Sequence, residues 1–260
     1  MKRTVLCAAL TLVIAAPAAA DVTMKVQMTG KGIGKAAEAP GVIYIKGTRM
    51  RQDQTISDTP MTTIIDVDGQ KFISINHKKK EAEVYDMAQF RRTLDEATKG
   101  VSIEASLNPN GQTKTIAGQT CSGYDVTVTF PMALGPAEGM RMIMSGPACI
   151  VKDAPGAADF KAFYLAAAEK GFVMSDPRAA KGSPQQAKGM TEYYKALAEA
   201  GVPYEMSMAM KVEGGGPMGG MMNRMFGNAA FTQTVTEVST TALGDDVFAI
   251  PAGYKVKDAK

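Results

Sequence analysis

"YEMSMAMKV", Tyr204 to Val212, decides the fold class. Tyr204, Met206, Met208, Met210 and Val212 share one parity, and Glu205, Ser207, Ala209 and Lys211 share the other. Successive side chains of a strand point to opposite faces, so this stretch predicts a strand with one covered and one wet face. "VTMKVQM" repeats the pattern, with Val22, Met24, Val26 and Met28 against Thr23, Lys25 and Gln27. So does "YDVTVTF", with Tyr124, Val126, Val128 and Phe130 inward. "MRMIM" sets Met140, Met142 and Met144 on one side. "TTIIDVDGQKFISI", from Thr62, reads as a hairpin turning at Asp68-Gly69. "KKKEAEVYDM" follows it as a strand, and "FTQTVTEVST" is a weaker one near the C-terminus. One-sided alternation in about ten such stretches argues for antiparallel pairing.

Helical spacing interrupts these strands three times. "DMAQFRRTLDEATKG" opens at Asp86, aligns Phe90, Leu94 and Ala97, and stops at Gly100. "PGAADFKAFYLAAAEKG" puts Phe160, Phe163, Tyr164 and Ala167 on one stripe before Gly171. "SPQQAKGMTEYYKALAEAG" carries Ser183 as N-cap, Pro184 at the first helical position and Gln186 to complete a capping box. Its buried stripe is Met190, Tyr193, Tyr194 and Leu197, and Gly201 closes it. Together the elements predict an α+β fold: a strongly curved antiparallel sheet or unclosed β-barrel with about three helices covering one face. No domain boundary or internal repeat is visible, so residues 21–260 read as one domain. "EGGGPMGGMMNRMFGN", Glu213 to Asn228, falls between two strands and reads as a long flexible Gly/Met-rich hairpin loop.

The first twenty residues, MKRTVLCAALTLVIAAPAAA, differ in kind. Lys2 and Arg3 form a positive start, Val5 to Ala16 an apolar run, and Ala18-Ala19-Ala20 a small-residue cleavage site. That is the pattern of a secretory signal peptide, residues 1–20, and the run is too short for a membrane span. The alternative is a buried N-terminal helix. Lipidation of Cys7 is rejected, because Leu6 stands where a small residue is needed. Cleavage would leave 27 Lys+Arg (29 less Lys2 and Arg3) and 26 Asp+Glu, a net charge near +1. So balanced a surface makes no electrostatic case for nucleic acid. The expected product is a soluble periplasmic or secreted protein. Cys121 and Cys149 would then be an even pair in an oxidising compartment, where a structural disulfide is the default. The rival reading, a redox or metal pair, calls for a much shorter spacing.

Candidate chemistry is sparse. His77, the single histidine, stands in the polar stretch "NHKKKE". Without a second histidine or a free cysteine, a zinc site of the usual nitrogen and sulfur kind is excluded. No nucleophile elbow, phosphate loop or dinucleotide fingerprint occurs. Asp66 and Asp68 suggest calcium, but later oxygen ligands are missing and the hairpin turn explains them better. Lysines at strand ends protect sheet edges. No enzyme activity and no cofactor are expected.

The unusual residue is methionine, 19 in the chain with no tryptophan. Three readings stay open. Thioethers in M-x-M-x-M runs can bind Cu(I); they can form a deformable lining for variable apolar shapes, or simply fill a core. The faces they share with Tyr204, Val212, Val22 and Val26 favour the lining. The candidate ligand cavity is therefore Met24, Met28, Met140, Met142, Met144, Tyr204, Met206, Met208 and Met210. Met218, Met221, Met222, Met225 and Phe226 form a candidate flap over its mouth. The copper alternative uses Met218, Met221, Met222 and Met225.

"PGVIYIKGTRMRQD" (from Pro40), "IAGQTCSGYDV" (from Ile116), "ACIVKDAPGAADF" (from Ala148) and "DVFAIPAGYK" (from Asp246) resemble a family of uncharacterised secreted bacterial proteins, a domain of unknown function. The most telling pieces are Lys46-Gly47-x-Arg49 and Phe248-x-Ile250-Pro251-x-Gly253-Tyr254. The strand pattern in turn looks like the lipoprotein-carrier superfamily. That resemblance implies an unclosed antiparallel barrel with a helical lid over a hydrophobic cavity, and it transfers no catalytic residue. The Gly/Met segment is an addition to the pattern. The expected function is non-enzymatic binding of an acyl chain, lipid or lipidated peptide. Expected partners are an apolar small molecule, a lipidated protein or a membrane surface. The alternatives are a methionine-based Cu(I)-binding protein and a structural or sensory protein-interaction domain.

Overall fold

The computed structural model describes residues 21–31, 38–101, 103–132, 139–172, 174, 176–227 and 229–259. The expected signal peptide, residues 1–20, lies outside them. The chain opens with six strands: β1 (Val22–Lys31), β2 (Ala39–Lys46), β3 (Arg49–Ile56), β4 (Thr59–Asp66), β5 (Lys71–Asn76) and β6 (Glu81–Asp86). Helix α1 (Met87–Ala97) leads to β7 (Glu104–Ile116), β8 (Gln119–Pro131) and β9 (Arg141–Val151). Helices α2 (Ala157–Glu169), α3 (Pro177–Gly182) and α4 (Pro184–Ala200) precede β10 (Val202–Glu213). The last part holds α5 (Gly216–Phe226), β11 (Ala230–Ser239), a 3-10 turn over Asp245–Phe248, and β12 (Lys255–Asp258).

Among the described residues all twelve strands join one sheet, ordered β12-β6-β5-β4-β3-β2-β1-β11-β10-β9-β8-β7. Only β12–β6 is parallel. The sheet does not close, because β12 and β7 remain its edges. The predicted curved, unclosed α+β architecture is therefore what forms. The alternation places the strand methionines as read: Met24, Met140, Met142, Met144, Met206 and Met208 are all buried on the helix-covered face. Cys121 on β8 and Cys149 on β9 are joined by a disulfide, with Cα atoms 5.3 Å apart.

The helices follow their caps with instructive exceptions. Asp86 caps α1, its carboxylate accepting from the Ala88 and Gln89 amides. The buried C-terminal side chain of this turn is Thr98, whose hydroxyl donates to the Leu94 carbonyl, whereas the expected Ala97 is exposed. On α2 the stripe Phe160, Phe163, Tyr164 and Ala167 is buried as predicted, each aromatic worth about 2–3 kcal/mol of transfer free energy. Ser183 occupies the N-cap of α4, but its side chain makes no capping bond, so the predicted capping box does not form. Pro184 still starts the helix.

The largest departure is the Gly/Met segment. A flexible loop was expected over 213–228; instead α5 occupies Gly216–Phe226. Gly214, Gly215 and Gly216 take left-handed φ of 77°, 70° and 54°, which turns the chain sharply off β10. Pro217 then sits in the first turn, where its fixed φ suits a helix start. The remainder, Met-Met-Asn-Arg-Met, has good enough helix propensity to continue.

The other face of the sheet carries a second, smaller core: Ile64, Ile75, Ala82 and Phe248, with Tyr44, Ile73 and Tyr254 against it. The C-terminal segment lies across this face like a strap. Arg49 covers the Phe248 ring at 4.9 Å and bonds Asp245 at 2.6 Å, and Arg51 donates to the Val247 carbonyl at 2.7 Å. His77 is explained here. Its Nδ1 is hydrogen-bonded with the Tyr254 hydroxyl (2.9 Å) and its Nε2 with Thr62 Oγ1 (2.8 Å), and Thr62 donates onward to the Asp53 carboxylate. Asp66 accepts from the Gly69 amide and Asp68 bonds Thr48 and Lys170, which accounts for both hairpin carboxylates without calcium.

Candidate functional site

On the covered face a void lies where β1, β2, β3, β10 and β11 meet α2 and α4. It is a cavity of about 90 Å³. Four methionines line it: Met24 from β1, Met50 from β3, Met206 from β10, and Met174 from the segment between α2 and α3. Phe160 and Tyr164 of α2 and Tyr194 of α4 supply the aromatic wall. Gln52 and Gln233 are its polar side chains.

The aromatic wall is held by stacking and by unusual acceptors. Tyr164 and Tyr194 stack with centroids 5.3 Å apart. The Tyr164 hydroxyl donates to the Met50 sulfur (3.9 Å), and the Tyr193 hydroxyl to the Met206 sulfur. Thioethers are weak acceptors, so these hydroxyls are kept in apolar surroundings at some cost. Burial pushes the Tyr164, Tyr193 and Tyr194 phenols above their ordinary range. The cavity wall is therefore neutral throughout the physiological range.

Of the nine residues expected at the cavity, the structure brings together Met24 and Met206 there. Met140, Met144, Met208 and Tyr204 are packed into the core, and Met28 and Met210 are half-buried against it. Met142 lines a different, more open pocket of about 220 Å³ with Phe130 and Met132, beside the start of α4. The sequence reading missed Met50 and Met174. Met50 carried a usable signal, the alternation of "TRMRQ"; Met174 lies in an irregular segment with no periodicity to read. A shallow groove of about 600 Å³ also runs between α4 and β7. Lys188, Glu192, Lys195 and Glu199 line its helix side, and Val101, Ile103 and Ala105 its sheet side.

The expected flap does not cover this cavity. Helix α5 leaves the far end of β10: Asn223 Oδ1 accepts from the Val212 amide at 3.1 Å, and Gly215 abuts Met140. Met206 and Val212 are six residues apart on one strand, about 20 Å at the usual rise. No α5 residue lines the cavity. The helix instead sorts its methionines. Met222 faces the core, whereas Met218, Met221 and Met225 are 40%, 52% and 60% exposed. Their spacing of i, i+3 and i+7 sets them on one stripe. Phe226 ends the helix; its side chain lies outside the described atoms. Among the described residues no cluster of three or more His, Cys, Asp or Glu could hold a metal ion. No helix among them is long and apolar enough to cross a membrane.

No protein-family model matches the chain, and no curated protein matches it. Solved structures resemble it at low identity. An uncharacterized conserved protein from Thermus thermophilus aligns with TM-score 0.42 and 10% identity, over 93% of this chain and 92% of the other. PNGF-II aligns with TM-score 0.36 and 7% identity, over 93% of this chain but 31% of that one. A domain assigned to outer membrane lipoprotein sorting, from Vibrio parahaemolyticus, aligns with TM-score 0.36 and 6% identity, over 89% and 90%.

Proposed function

We propose that this chain is an exported, non-enzymatic binding protein that holds an apolar group between its curved sheet and helices α2 and α4. The group is an acyl chain, a lipid or the lipid of a lipidated peptide. The observation that carries the reading is the methionine- and tyrosine-lined cavity at the sheet–helix seam. Apart from Gln52 and Gln233 its walls are methionine, aromatic and aliphatic side chains, and the four methionines have three rotatable bonds each, the type best able to reshape around a guest. At about 90 Å³ the cavity is smaller than the roughly 300–1,000 Å³ of most ligand sites. Entry therefore requires the methionines to change rotamer and α2 and α4 to lift together from the sheet.

The test is displacement of a fluorescent fatty acid. Wild-type protein should bind the probe saturably. Gln233→Phe, which puts a ring into the cavity from β11, should weaken binding at least tenfold without lowering the melting temperature by more than a few degrees. Saturable binding that Gln233→Phe leaves untouched would place the ligand elsewhere.

The stripe on α5 favours a second reading. Helical geometry brings the thioethers of Met218, Met221 and Met225 to one side, an arrangement suited to a soft ion such as Cu(I). Replacing these three by Leu should abolish Cu(I) retention under that reading and leave fatty-acid binding unchanged.

A further inference from the structure

The cavity wall is not apolar all round, and its polar side leads somewhere. Gln52 lines the cavity and stands opposite Thr63 on β4. Thr63 stands opposite Ser74 on β5, and Ser74 opposite Glu83 on β6. The four residues form one cross-strand row on the helix-facing side of the sheet, on the same parity as the buried Met50, Ile65, Phe72 and Tyr85. Three strand spacings make the row about 14 Å long. It ends in a second pocket of about 90 Å³, where Met61 is joined by the polar side chains of Ser74, Asn76, Lys79, Glu81, Glu83 and Arg178. Four adjacent strands thus present amide, hydroxyl, hydroxyl and carboxylate where the same face elsewhere presents methionine, isoleucine and phenylalanine. The Thr63 and Ser74 hydroxyls make no side-chain hydrogen bond to another described residue.

The pocket's own lining carries two cations, Lys79 and Arg178, and two carboxylates, Glu81 and Glu83. Arg178 pairs with Glu83 at 3.0 Å and with Asp176 at 2.7 Å. Lys257 pairs with Glu81 at 2.7 Å, and Lys255 stands opposite Glu81 in the register of β12 with β6. A phosphate or carboxylate head would meet Glu81 and Glu83 at close range. A head of uncharged hydroxyl groups can both donate to the carboxylates and accept from the amides.

Resting on the apolar-ligand reading above, we infer that the ligand is an amphiphile with a neutral, polyhydroxylated head. The chain lies under α2 and α4, and the head lies along the Gln52–Thr63–Ser74–Glu83 row. A head of two sugar rings spans most of the row and offers hydroxyl groups along it.

The experiment compares three amphiphiles with the same eight-carbon chain, each below its micelle concentration: octyl maltoside, octanoate and octyl phosphate. Calorimetry on the wild-type protein should give at least tenfold tighter binding for octyl maltoside. The variant Gln52→Leu/Ser74→Val, checked for an unchanged circular dichroism spectrum, should lose that tenfold preference and keep its affinity for octanoate within about twofold. Equal affinity for all three compounds, or a variant that retains the preference, overturns the head-group inference while the apolar site stands. Binding of none of the three overturns the apolar-ligand reading and this inference with it.

Discussion

Gly219 and Gly220 are neighbours in α5, and the structure predicts that the same substitution acts oppositely at each. Glycine costs roughly 1 kcal/mol relative to alanine in a helix interior. At Gly220 an added Cβ meets nothing within 4 Å, so Gly220→Ala should raise stability by about that 1 kcal/mol. At Gly219 the Cβ would overlap the Gly214 carbonyl oxygen. That oxygen is backbone, held by the left-handed turn that launches the helix, so it cannot swing aside. Relief requires α5 to move off β10, straining the Asn223–Val212 bond and the burial of Met222. Overpacking of this kind costs typically about 1–3 kcal/mol, against the same 1 kcal/mol gain in propensity. Gly219→Ala should therefore be neutral to destabilising, about 1–3 kcal/mol below its neighbour. Urea midpoints give the global difference, and hydrogen exchange of the α5 amides captures undocking that leaves the sheet folded. Equal effects from the two substitutions would refute the docked helix and restore the flexible loop.

Two further outcomes follow from the core. Opening the Cys121–Cys149 link, separation 28, should cost about 3.5 kcal/mol in the chain-entropy model. Cys121→Ser, Cys149→Ser and the double variant should unfold at nearly the same denaturant concentration, because each opens one loop; clearly additive losses would contradict the bond. The second outcome is alkaline unfolding. Desolvation raises the phenols of Tyr85, Tyr164, Tyr193, Tyr194 and Tyr204, so the fold favours their neutral forms. Their contribution is complete below the ordinary tyrosine pKa of about 10 and is lost as pH rises beyond it. Absorbance at 295 nm should show these groups ionising together with loss of the β signal in circular dichroism. Normal ionisation of all eight tyrosines in a still-folded protein would refute their burial.

How much of this was legible in the residues differs by element. The strand methionines were placed correctly because alternation is a local property: Met206 and Met208 had only to share parity with Tyr204 to be buried. Helices α2 and α4 were visible because Phe160, Phe163, Tyr193 and Leu197 recur at helical spacing. Helix α5 was hidden, since its glycines contradict helix propensity and its start depends on three left-handed residues that no periodicity reports. Cavity membership was hidden for a different reason. Parity says which face a side chain takes, not how far along the strand the helices sit, and so Met140, Met144 and Met208 could not be separated from Met24 and Met206. The polar row was hidden likewise, because Gln52, Thr63, Ser74 and Glu83 become neighbours only through the register of β3 to β6. His77 read as a polar turn residue because its partner Tyr254 lies 177 positions away.

The central claim is that an apolar ligand occupies the seam between the sheet and helices α2 and α4. Native mass spectrometry of the full chain, residues 1–20 included, expressed in a bacterial host and purified from its periplasm without detergent tests it most directly. The account predicts a fraction of molecules carrying an added mass that leaves on mild collisional activation as a lipid-like amphiphile, and loss of that fraction in Gln233→Phe. A bare polypeptide mass in every preparation, or an adduct of copper alone, would contradict it.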